Sequence, residues 1–352
     1  MPLLARMLMA PLSVDIHRGA ITNLADLLAD RRISAGGHVA VTVGPGLGEE
    51  VTRRITHGLG NAEVFPIAGG TVDAALDLGK QLRATSYDAV VAIGGGKTID
   101  VTKYAASLAG LPMVAVATNL SHDGICSPVS SLEHEHGKGS FGVAMPVAIV
   151  VDLDYVRAAP ERMVRSGVGD VVSNLSAVAD WHLAARERGE PVDGLANMFA
   201  HSAAESIINR SDTISSDDFL STLAEALVLS GMAMVGAGSS RPCSGGCHEI
   251  LHAVDQLYPG TSNHGELAGV GALFCLFLSE DAQRTREVST CLARHGLPRV
   301  PADVGLSDEQ FVQAVLHAPN TRPDRYTILE HLALDADAAR SCVEKHVRTI
   351  TG

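Results

Sequence analysis

Short apolar runs alternate with stretches of helical length along the first half of the chain. Five runs rich in β-branched residues and alanine predict strands, at His38–Val43, Glu63–Ile67, Asp88–Ile93, Pro112–Ala117 and Pro146–Asp152. Strands that alternate with helices are typical of a doubly wound parallel sheet with helices packed on its faces. We therefore predict a Rossmann-like α/β domain over residues 1–157.

From about residue 160 the pattern changes to long alanine- and leucine-rich stretches at helical spacing, without alternation of apolar and polar positions. Seven helices are predicted, at Arg165–Arg188, Leu195–Ile208, Asp217–Val235, Cys247–Leu257, Gly265–Glu280, Thr285–Arg294 and Asp335–Thr349. The sequence thus predicts a second, all-helical domain over residues 158–352. A chain of 352 residues is long enough for two such domains.

Composition and charge narrow the class of protein. Hydrophobic residues make up 46% of the chain and charged residues 19%, which indicates a folded protein with a large apolar core. The net charge of −13 would repel phosphate backbones and anionic lipids, so we expect neither a nucleic-acid partner nor membrane insertion. The six cysteines show no disulfide spacing, and the apolar run Pro2–Leu12 lacks a basic leader. Both observations favour a cytoplasmic protein.

A glycine cluster follows the third predicted strand. Gly94, Gly95 and Gly96 lie between the apolar strand and the start of a helix, and Lys97 comes next. Glycines let backbone amides approach a pyrophosphate, and a helix N-terminus carries a positive partial charge. The spacing differs from the usual G-x-G-x-x-G, so a plain strand-to-helix turn is the alternative. A second polar loop, residues 118–124, follows the next strand at the same sheet edge, which favours a shared dinucleotide ligand.

The helical half carries residues with metal-binding chemistry. His248 and His252 are four residues apart and share one helix face, His264 follows, and Asp170 lies far upstream. Two imidazoles and one carboxylate with an open coordination position are typical of a catalytic divalent cation that acts as a Lewis acid.

Two alternatives compete with that interpretation. The histidines could simply pack or cap helices, which is the commoner role for a single histidine. A structural zinc site is the other alternative, although its ligand spacing differs from the common arrangements. Its candidate ligands are Cys243, Cys247, His248 and His252.

Together these segments resemble the glycerol dehydrogenase and dehydroquinate synthase superfamily, and most closely its sn-glycerol-1-phosphate dehydrogenase branch. The blocks that carry the resemblance occur in family order. They are residues 94–100 (GGGKTID), 121–128 (SHDGICSP), 167–174 (GVGDVVSN) with 180–181 (DW), 239–245 (SSRPCSG) and 264–266 (HGE).

The resemblance implies a metal-dependent oxidoreductase that moves a hydride between NAD(H) or NADP(H) and a small polyol, or polyol phosphate, and its ketone. It implies that Asp170, His248 and His264 hold the metal, zinc in this branch and iron in some relatives. Asp123 then faces the substrate, and His252 acts either as a proton relay or as a structural neighbour of the metal site. A homo-oligomer is expected by analogy. The cofactor residues expected on the same basis are Gly94, Gly95, Gly96, Lys97, Asp100, Thr118, Ser121 and Ser127.

Departures from the family pattern leave the substrate and the cofactor open. Cys247 stands where the family has an acidic residue before the first metal histidine. No acidic residue ends the first predicted strand at Val43, so NAD and NADP both remain candidates. A phosphate ester needs basic donors, and Lys138 and Arg241 are the candidates. A related ketone of a specialised pathway is therefore an alternative substrate.

Two other functions compete with the dehydrogenase. One is a sugar-phosphate cyclase, a lyase that uses NAD transiently with the same kind of metal site. The other is a nucleotide-binding protein that has kept the fold without the activity.

Overall fold

The computed structural model describes residues 9–352 with the exception of residues 35, 37, 46, 47, 57 and 136. Residues 1–8 hold most of the apolar N-terminal run, so the expectation based on that run lies outside the described residues. Eight strands occur within the described ranges. They are β1 Ser13–His17, β2 Val39–Val43, β3 Glu63–Pro66, β4 Ala89–Gly94, β5 Met113–Ala117, β6 Val129–His134, β7 Gly137–Gly142 and β8 Ala148–Asp152.

Six of these strands form one parallel sheet in the N-terminal half. Their order across the sheet is β1-β8-β5-β4-β2-β3, and the register places Val39 opposite Ala89 and Val90 opposite Met113. Five of the six agree with the predicted runs to within two residues at each end. Strands β2, β4, β5 and β8 are buried along their whole length, which is why they appear in the sequence as continuous apolar runs.

Helices cover both faces of the sheet, as predicted for this fold class. They are α1 Leu24–Asp30, α2 Gly48–Thr56, α3 Val72–Ala84, α4 Gly96–Ala109 and α5 Leu153–Ala158. Because side chains alternate along a strand, Val39 and Val41 pack in one apolar cluster with α1 and α2, whereas Ala40 packs in another with α3 and α4.

The C-terminal half is helical, and every one of the seven predicted helices is present. Within the described residues it contains α6 Glu161–Arg188, α7 Gly194–Ile208, α8 Asp217–Ala237, α9 Gly246–Leu257, α10 His264–Leu278, α11 Ala282–Arg294, α12 Asp308–His317, α13 Ile328–Leu332 and α14 Ala336–Thr351. The short helices α12 and α13 were not predicted. Helix α12 begins with a capping box between Ser307 and Gln310, and this S-x-x-Q pattern could have revealed it.

Helix α8 is the one described helix that is long and apolar enough to cross a membrane by length and composition. In the fold, 61% of its most apolar window is buried inside the protein. Ser216 caps its N-terminus and Gly238 ends it with a left-handed residue. These are the features of a core helix in a folded protein.

The strands that the sequence analysis missed lie at the margins of the fold. Strand β1 is an edge strand that pairs only with β8 in the described sheet, and its residues are partly exposed. Strands β6 and β7 form an antiparallel hairpin beside the sheet. Strand β7 contains Gly137, Gly139 and Gly142, and glycine in a strand weakens the β signal. The hairpin carries Lys138, one of the two candidate phosphate donors in the sequence.

One continuous apolar cluster joins the two halves of the chain. It includes Ala40 and Val90 from the sheet, Val168 from α6, Leu223 from α8 and Leu273 from α10. The predicted division at residues 157 and 158 falls in the last turn of α5, and it remains a prediction.

Candidate metal and nucleotide site

Three side chains from three helices meet at the junction of the sheet and the helical half. Asp170 comes from the middle of α6, His248 from the first turn of α9, and His264 is the first residue of α10. One ligand atom from each lies within 4.8 Å of the others. Within the described ranges, no other group of three or more histidine, cysteine or acidic side chains converges in this way. Asp170 is only 3% exposed.

Two glycines bring α6 and α10 together beside this cluster. A Cβ on Gly169 would lie 2.1 Å from the carbonyl oxygen of Gly265, and a Cβ on Gly265 would lie 1.7 Å from that of Ser166. No side chain fits at these contacts, so the two helix backbones touch. Because Asp170 and His264 are the immediate neighbours of these glycines, the backbone contact fixes the spacing of their side chains.

The spacing within the cluster suits a bound cation. Oδ1 of Asp170 lies 3.6 Å from Nε2 of His248 and 3.5 Å from Nε2 of His264, which is too long for good hydrogen bonds. Four ligands placed about 2.1 Å from a tetrahedral zinc ion would lie about 3.4 Å from one another. The three residues therefore fit a metal ion as a donor set.

The protonation states in the cluster also suit a cation. Burial by itself would raise the pKa of Asp170, but the interactions with His248 and His264 hold it below its ordinary value. Burial lowers the pKa of His264, although Asp170 opposes this. At neutral pH the cluster thus offers a carboxylate and a neutral His264 imidazole, the forms that bind metals.

The rival zinc site made of cysteines and histidines is not assembled. Of its four candidate ligands only His248 belongs to the convergent cluster. The Cys243 thiol donates to the carbonyl oxygen of Ser230 at 3.3 Å, and burial raises the pKa of Cys247 to about 12. A thiol in that state is a poor zinc ligand. Cys247 instead lies beside the metal cluster, with its Sγ 3.3 Å from Nδ1 of His248.

The glycine cluster forms the turn from β4 into α4. A Cβ on Gly95 would lie 2.3 Å from Nδ2 of Asn119, and a Cβ on Gly96 would lie 2.1 Å from Nε2 of His122. Gly95 is the N-cap of α4 and offers no capping side chain, so the first amides of the helix face outward. A cavity of about 520 Å³ lies against this turn. We call it the outer cavity.

Most of the expected cofactor residues line the outer cavity. They are Gly94, Gly95, Gly96, Lys97, Thr118 and Ser121. The other two, Asp100 and Ser127, instead line a neighbouring cavity of about 330 Å³, which we call the inner cavity. His122, Lys138 and His264 line both cavities, so the two spaces meet beside the metal cluster.

A buried lysine that the sequence analysis did not single out explains where Asp100 points. Lys103 is fully buried, and its Nζ lies 3.1 Å from Oδ1 of Asp100. The same ammonium donates to the carbonyl oxygens of Gly124 and Val129, at 2.8 and 2.5 Å. Lys103 therefore ties the polar loop and β6 to α4, and Asp100 compensates its charge.

The two expected catalytic residues both face the inner cavity. The backbone N–H of Asp123 donates to Oδ2 of Asp170 at 2.9 Å, and burial together with the charge of Asp170 raises the pKa of the Asp123 carboxyl. His252 accepts a hydrogen bond at Nε2 from Nη2 of Arg322 at 3.0 Å. Burial and the charge of Arg322 lower the pKa of His252, so its ring is neutral.

Comparisons with known proteins agree with this geometry. The family model described as iron-containing alcohol dehydrogenase matches residues 15–160. The glycerol-1-phosphate dehydrogenase (NAD(P)+) of Methanospirillum hungatei is 35% identical over 337 residues, covering 95% of this chain and 92% of the relative. That of Hyperthermus butylicus is 36% identical and covers 94% of this chain and 95% of the relative. The chain belongs to the glycerol-1-phosphate dehydrogenase family.

Solved structures show the same fold. A probable glycerol dehydrogenase from Sinorhizobium meliloti matches with a TM-score of 0.80 at 22% identity, over 99% of both chains. A sulfoacetaldehyde reductase from Bifidobacterium kashiwanohense in complex with NAD+ matches with a TM-score of 0.74 at 17% identity, over 97% of this chain and 98% of the other. The predicted fold and the predicted class, an NAD(P)-dependent dehydrogenase of a metal-dependent family, are both confirmed.

For a glycerol-1-phosphate dehydrogenase family member, the basic residues of the inner cavity are of special interest. Arg241, which the sequence suggested as a phosphate donor, is 3% exposed, and its Nε lies 3.0 Å from Oε1 of Glu190. Its guanidinium is thus paired with a carboxylate of the protein, and Arg241 does not line the inner cavity. Lys138 does line the cavity, together with Arg322, which the sequence analysis missed. No sequence motif marks Arg322.

His122 is a further residue that the sequence analysis missed, although it lies within the SHDG block. Its Nδ1 accepts a hydrogen bond from the backbone N–H of Gly124 at 3.0 Å. Burial lowers the pKa of His122 to about 4, so the ring is neutral and carries its proton on Nε2. That nitrogen lies at the glycine turn, where the two cavities meet.

Proposed function

We propose that this protein interconverts dihydroxyacetone phosphate and sn-glycerol 1-phosphate, using NAD(H) or NADP(H) and one divalent cation. The observation that carries the proposal is the convergence of Asp170, His248 and His264 where the two cavities meet. The substrate class is supported by relatives named glycerol-1-phosphate dehydrogenase, which are 35% and 36% identical over 95% and 94% of this chain.

Asp170, His248 and His264 are the proposed metal ligands. One carboxylate and two imidazoles favour zinc, with iron as the alternative, because both metals accept this mixed nitrogen and oxygen set. When bound, the cation would act as a Lewis acid toward the substrate oxygen, and the nicotinamide would carry the hydride.

The outer cavity is the proposed cofactor site. The first residues of α4 line it and have no capping side chain, and a pyrophosphate there would gain hydrogen bonds and the favourable end of the helix dipole. Thr118, Ser121 and the proposed metal ligand His264 line the same cavity, and the nicotinamide would sit beside them. Asp100 and Ser127 contact Lys103, and we assign them to the wall of the inner cavity rather than to the pyrophosphate.

Asp123 and His252 are the proposed groups that position the substrate and move its proton. Both line the inner cavity together with His248 and His264. The neutral His252 ring accepts from Arg322, which fixes the ring orientation and leaves its proton on Nδ1. A proton relay through His252 and a purely positioning role are distinguished by the pH profile of a His252→Gln variant.

The decisive experiment is an absorbance assay of NADH and NADPH consumption with dihydroxyacetone phosphate, run on zinc-loaded and iron-loaded protein. We expect one nicotinamide oxidised for each ketone reduced. Asp170→Asn should lose metal and lower kcat at least about 1000-fold, because one charged ligand is gone. Asp337→Asn, at a fully exposed carboxylate in the same half of the chain, is the matched control.

Two results would contradict the proposal. Product formation without net change in nicotinamide would indicate a cyclase, since a cyclase regenerates its cofactor in every turnover. Equal metal content in the wild-type protein and Asp170→Asn would remove the metal site and favour a binding protein without this activity.

We further propose that the protein works in the cytoplasm as a homo-oligomer, with domains at residues 1–157 and 158–352. All six cysteines are free thiols, which supports a reducing compartment. Light scattering at micromolar concentration tests the assembly, and a monomer would contradict it.

A further inference from the structure

We propose that Arg322, supported by Arg325 and Ser240, forms a subsite for the anionic group of the substrate, a phosphate monoester. This inference rests on the proposed function and deepens it, because it assigns the residues that select a phosphorylated ketone over an unphosphorylated one.

Two guanidinium groups share one serine hydroxyl in the wall of the inner cavity. Nη1 of Arg322 and Nη2 of Arg325 each donate to Oγ of Ser240 at 3.2 Å. Arg325 also donates to the carbonyl oxygen of Ser244. Two positive charges are thereby held side by side, and the Ser240 hydroxyl lines the cavity together with Arg322.

Neither cation has an ion-pair partner in the described part of the chain. The acidic side chain that acts on both is Glu249, and burial raises its pKa to about 9, so that it is neutral at pH 7. In the described part of the chain, no carboxylate oxygen lies within 4.0 Å of Arg322 or Arg325, whereas the neighbouring Arg241 pairs with Glu190 at 3.0 Å. Burial lowers the pKa of both arginines, that of Arg325 to about 10. Charges that are buried without a partner are costly. In a chain with a net charge of −13, Arg322 lines the cavity without an ion-pair partner, and Arg325 shares its serine hydroxyl. This arrangement indicates an anion-binding site.

The distance between Arg322 and the metal cluster suits the length of a three-carbon substrate. Arg322 is 3.0 Å from His252, and the ring centroids of His252 and His248 are 6.4 Å apart. A carbonyl oxygen and the phosphorus of a three-carbon phosphate ester are separated by roughly 5 Å, given ordinary bond lengths. A ketone oxygen at the cluster therefore leaves the phosphoryl group near Arg322.

The subsite is also open to the solvent. Arg322 and Lys138 line a third cavity of about 530 Å³ that adjoins the inner cavity. A phosphorylated substrate could enter from this side while the cofactor fills the outer cavity. Lys138 on the β6–β7 hairpin adds a positive charge along that path, where it would attract an anion without fixing its position.

The alternative is that Arg322 only ties the loops that carry Ser240 and His252 together. Zinc-loaded enzyme with saturating NADPH separates the two roles, assayed with dihydroxyacetone phosphate and with unphosphorylated dihydroxyacetone. For Arg322→Gln we expect kcat/KM for the phosphate ester to fall about 100-fold or more, which is the usual effect of removing a buried charge partner. The value for dihydroxyacetone should change less than about 3-fold. Arg340→Gln, at a half-exposed arginine remote from the cavities, is the control.

A second measurement does not require turnover. Binding of inorganic phosphate to the zinc- and NAD+-loaded enzyme is followed by ³¹P line broadening. We expect Arg322→Gln to weaken it at least about 10-fold, Arg322→Lys to retain part of it, and Arg340→Gln to leave it unchanged. If neither ketone is reduced by the wild-type enzyme, the proposed function fails, while the phosphate experiment still decides about the subsite.

Three outcomes would overturn the subsite. The first is an equal fall of kcat/KM for the two ketones in Arg322→Gln. The second is unchanged phosphate binding in Arg322→Gln, and the third is no phosphate binding by the wild-type enzyme. Thermal unfolding of each variant verifies that it is folded.

Discussion

Replacing Gly265 by alanine tests the claim that a backbone contact between α6 and α10 sets the metal site. The added Cβ would lie 1.7 Å from the carbonyl oxygen of Ser166, whereas ordinary van der Waals contact begins near 3.4 Å. The two helices must therefore separate by roughly 1.7 Å at this point to restore normal contact. Oδ1 of Asp170 and Nε2 of His264, now 3.5 Å apart, lie directly beside the contact and would move with the helices.

A metal site tolerates changes in ligand position of only about 0.2 Å. We therefore expect Gly265→Ala to weaken zinc binding about 100-fold or more, measured by competition with a chromophoric chelator. Overpacking should also lower the free energy of unfolding of the metal-free protein by about 1–3 kcal/mol, measured in urea.

Gly194→Ala is the matched control for this prediction. A Cβ at Gly194, the first residue of α7, meets no atom within 4 Å, so the variant should keep the wild-type zinc affinity and gain up to about 1 kcal/mol of stability. If Gly265→Ala binds zinc as tightly as the wild-type protein, the close helix contact does not control the site.

Three further predictions concern the buried charged and titratable groups and the metal. His346 is fully buried, and burial lowers its pKa to about 4 although a backbone hydrogen bond with Arg299 opposes this; its folded-state pKa lies below the unfolded value, so stability should be lost as the pH falls from about 6.5 to 4. For His346→Leu we expect the free energy of unfolding to fall about 3 kcal/mol less on acidification than in the wild-type protein. Urea denaturation at pH 7 and pH 4.5 measures this, and an equal fall in both proteins would contradict the prediction. Lys103→Met should lower the free energy of unfolding by about 3–5 kcal/mol, because it leaves the buried Asp100 carboxylate unpaired. Chemical denaturation measures this loss, and the double variant with Asp100→Asn should recover part of it. Removal of the metal by a chelator should abolish turnover and lower the Tm of the wild-type protein while leaving the Tm of Asp170→Asn unchanged, and equal shifts in calorimetry would argue against a metal held by Asp170.

Most of the strands and helices that the sequence predicted are long or fully buried, and among the predicted strands the short, partly exposed β3 is the exception. Strand β2 is apolar at every position but Thr42, because both faces of a central parallel strand are covered. The edge strand β1 lacks this pattern, since its side chains are partly exposed and it contains polar residues such as Asp15. Strand β7 lacks it because Gly139 and Gly142 contribute no side chain to pack. Marginal elements are held by their neighbours, and neighbours are not visible in a local pattern.

The phosphate donor shows the same limit at the level of one side chain. Arg241 and Arg322 are equally basic in the sequence, and the resemblance drew attention to Arg241 because it lies within a family block. Its guanidinium turns away from the cavity toward Glu190, whereas that of Arg322 reaches Ser240 from a loop far along the chain. Only the path of the backbone decides which arginine faces the ligand.

The sequence by itself determined the order of strands and helices, the glycine turn at Gly94–Gly96, and the identity of the residues able to bind a metal, because periodicity and side-chain chemistry are local properties. The tertiary structure alone decided that Asp170, His248 and His264 meet, that Asp100 pairs with Lys103, and that Arg322 lies at the cavity wall without an ion-pair partner. These arrangements depend on helix contacts such as that between Gly169 and Gly265, and a close contact between distant segments arises from the packing of the whole chain.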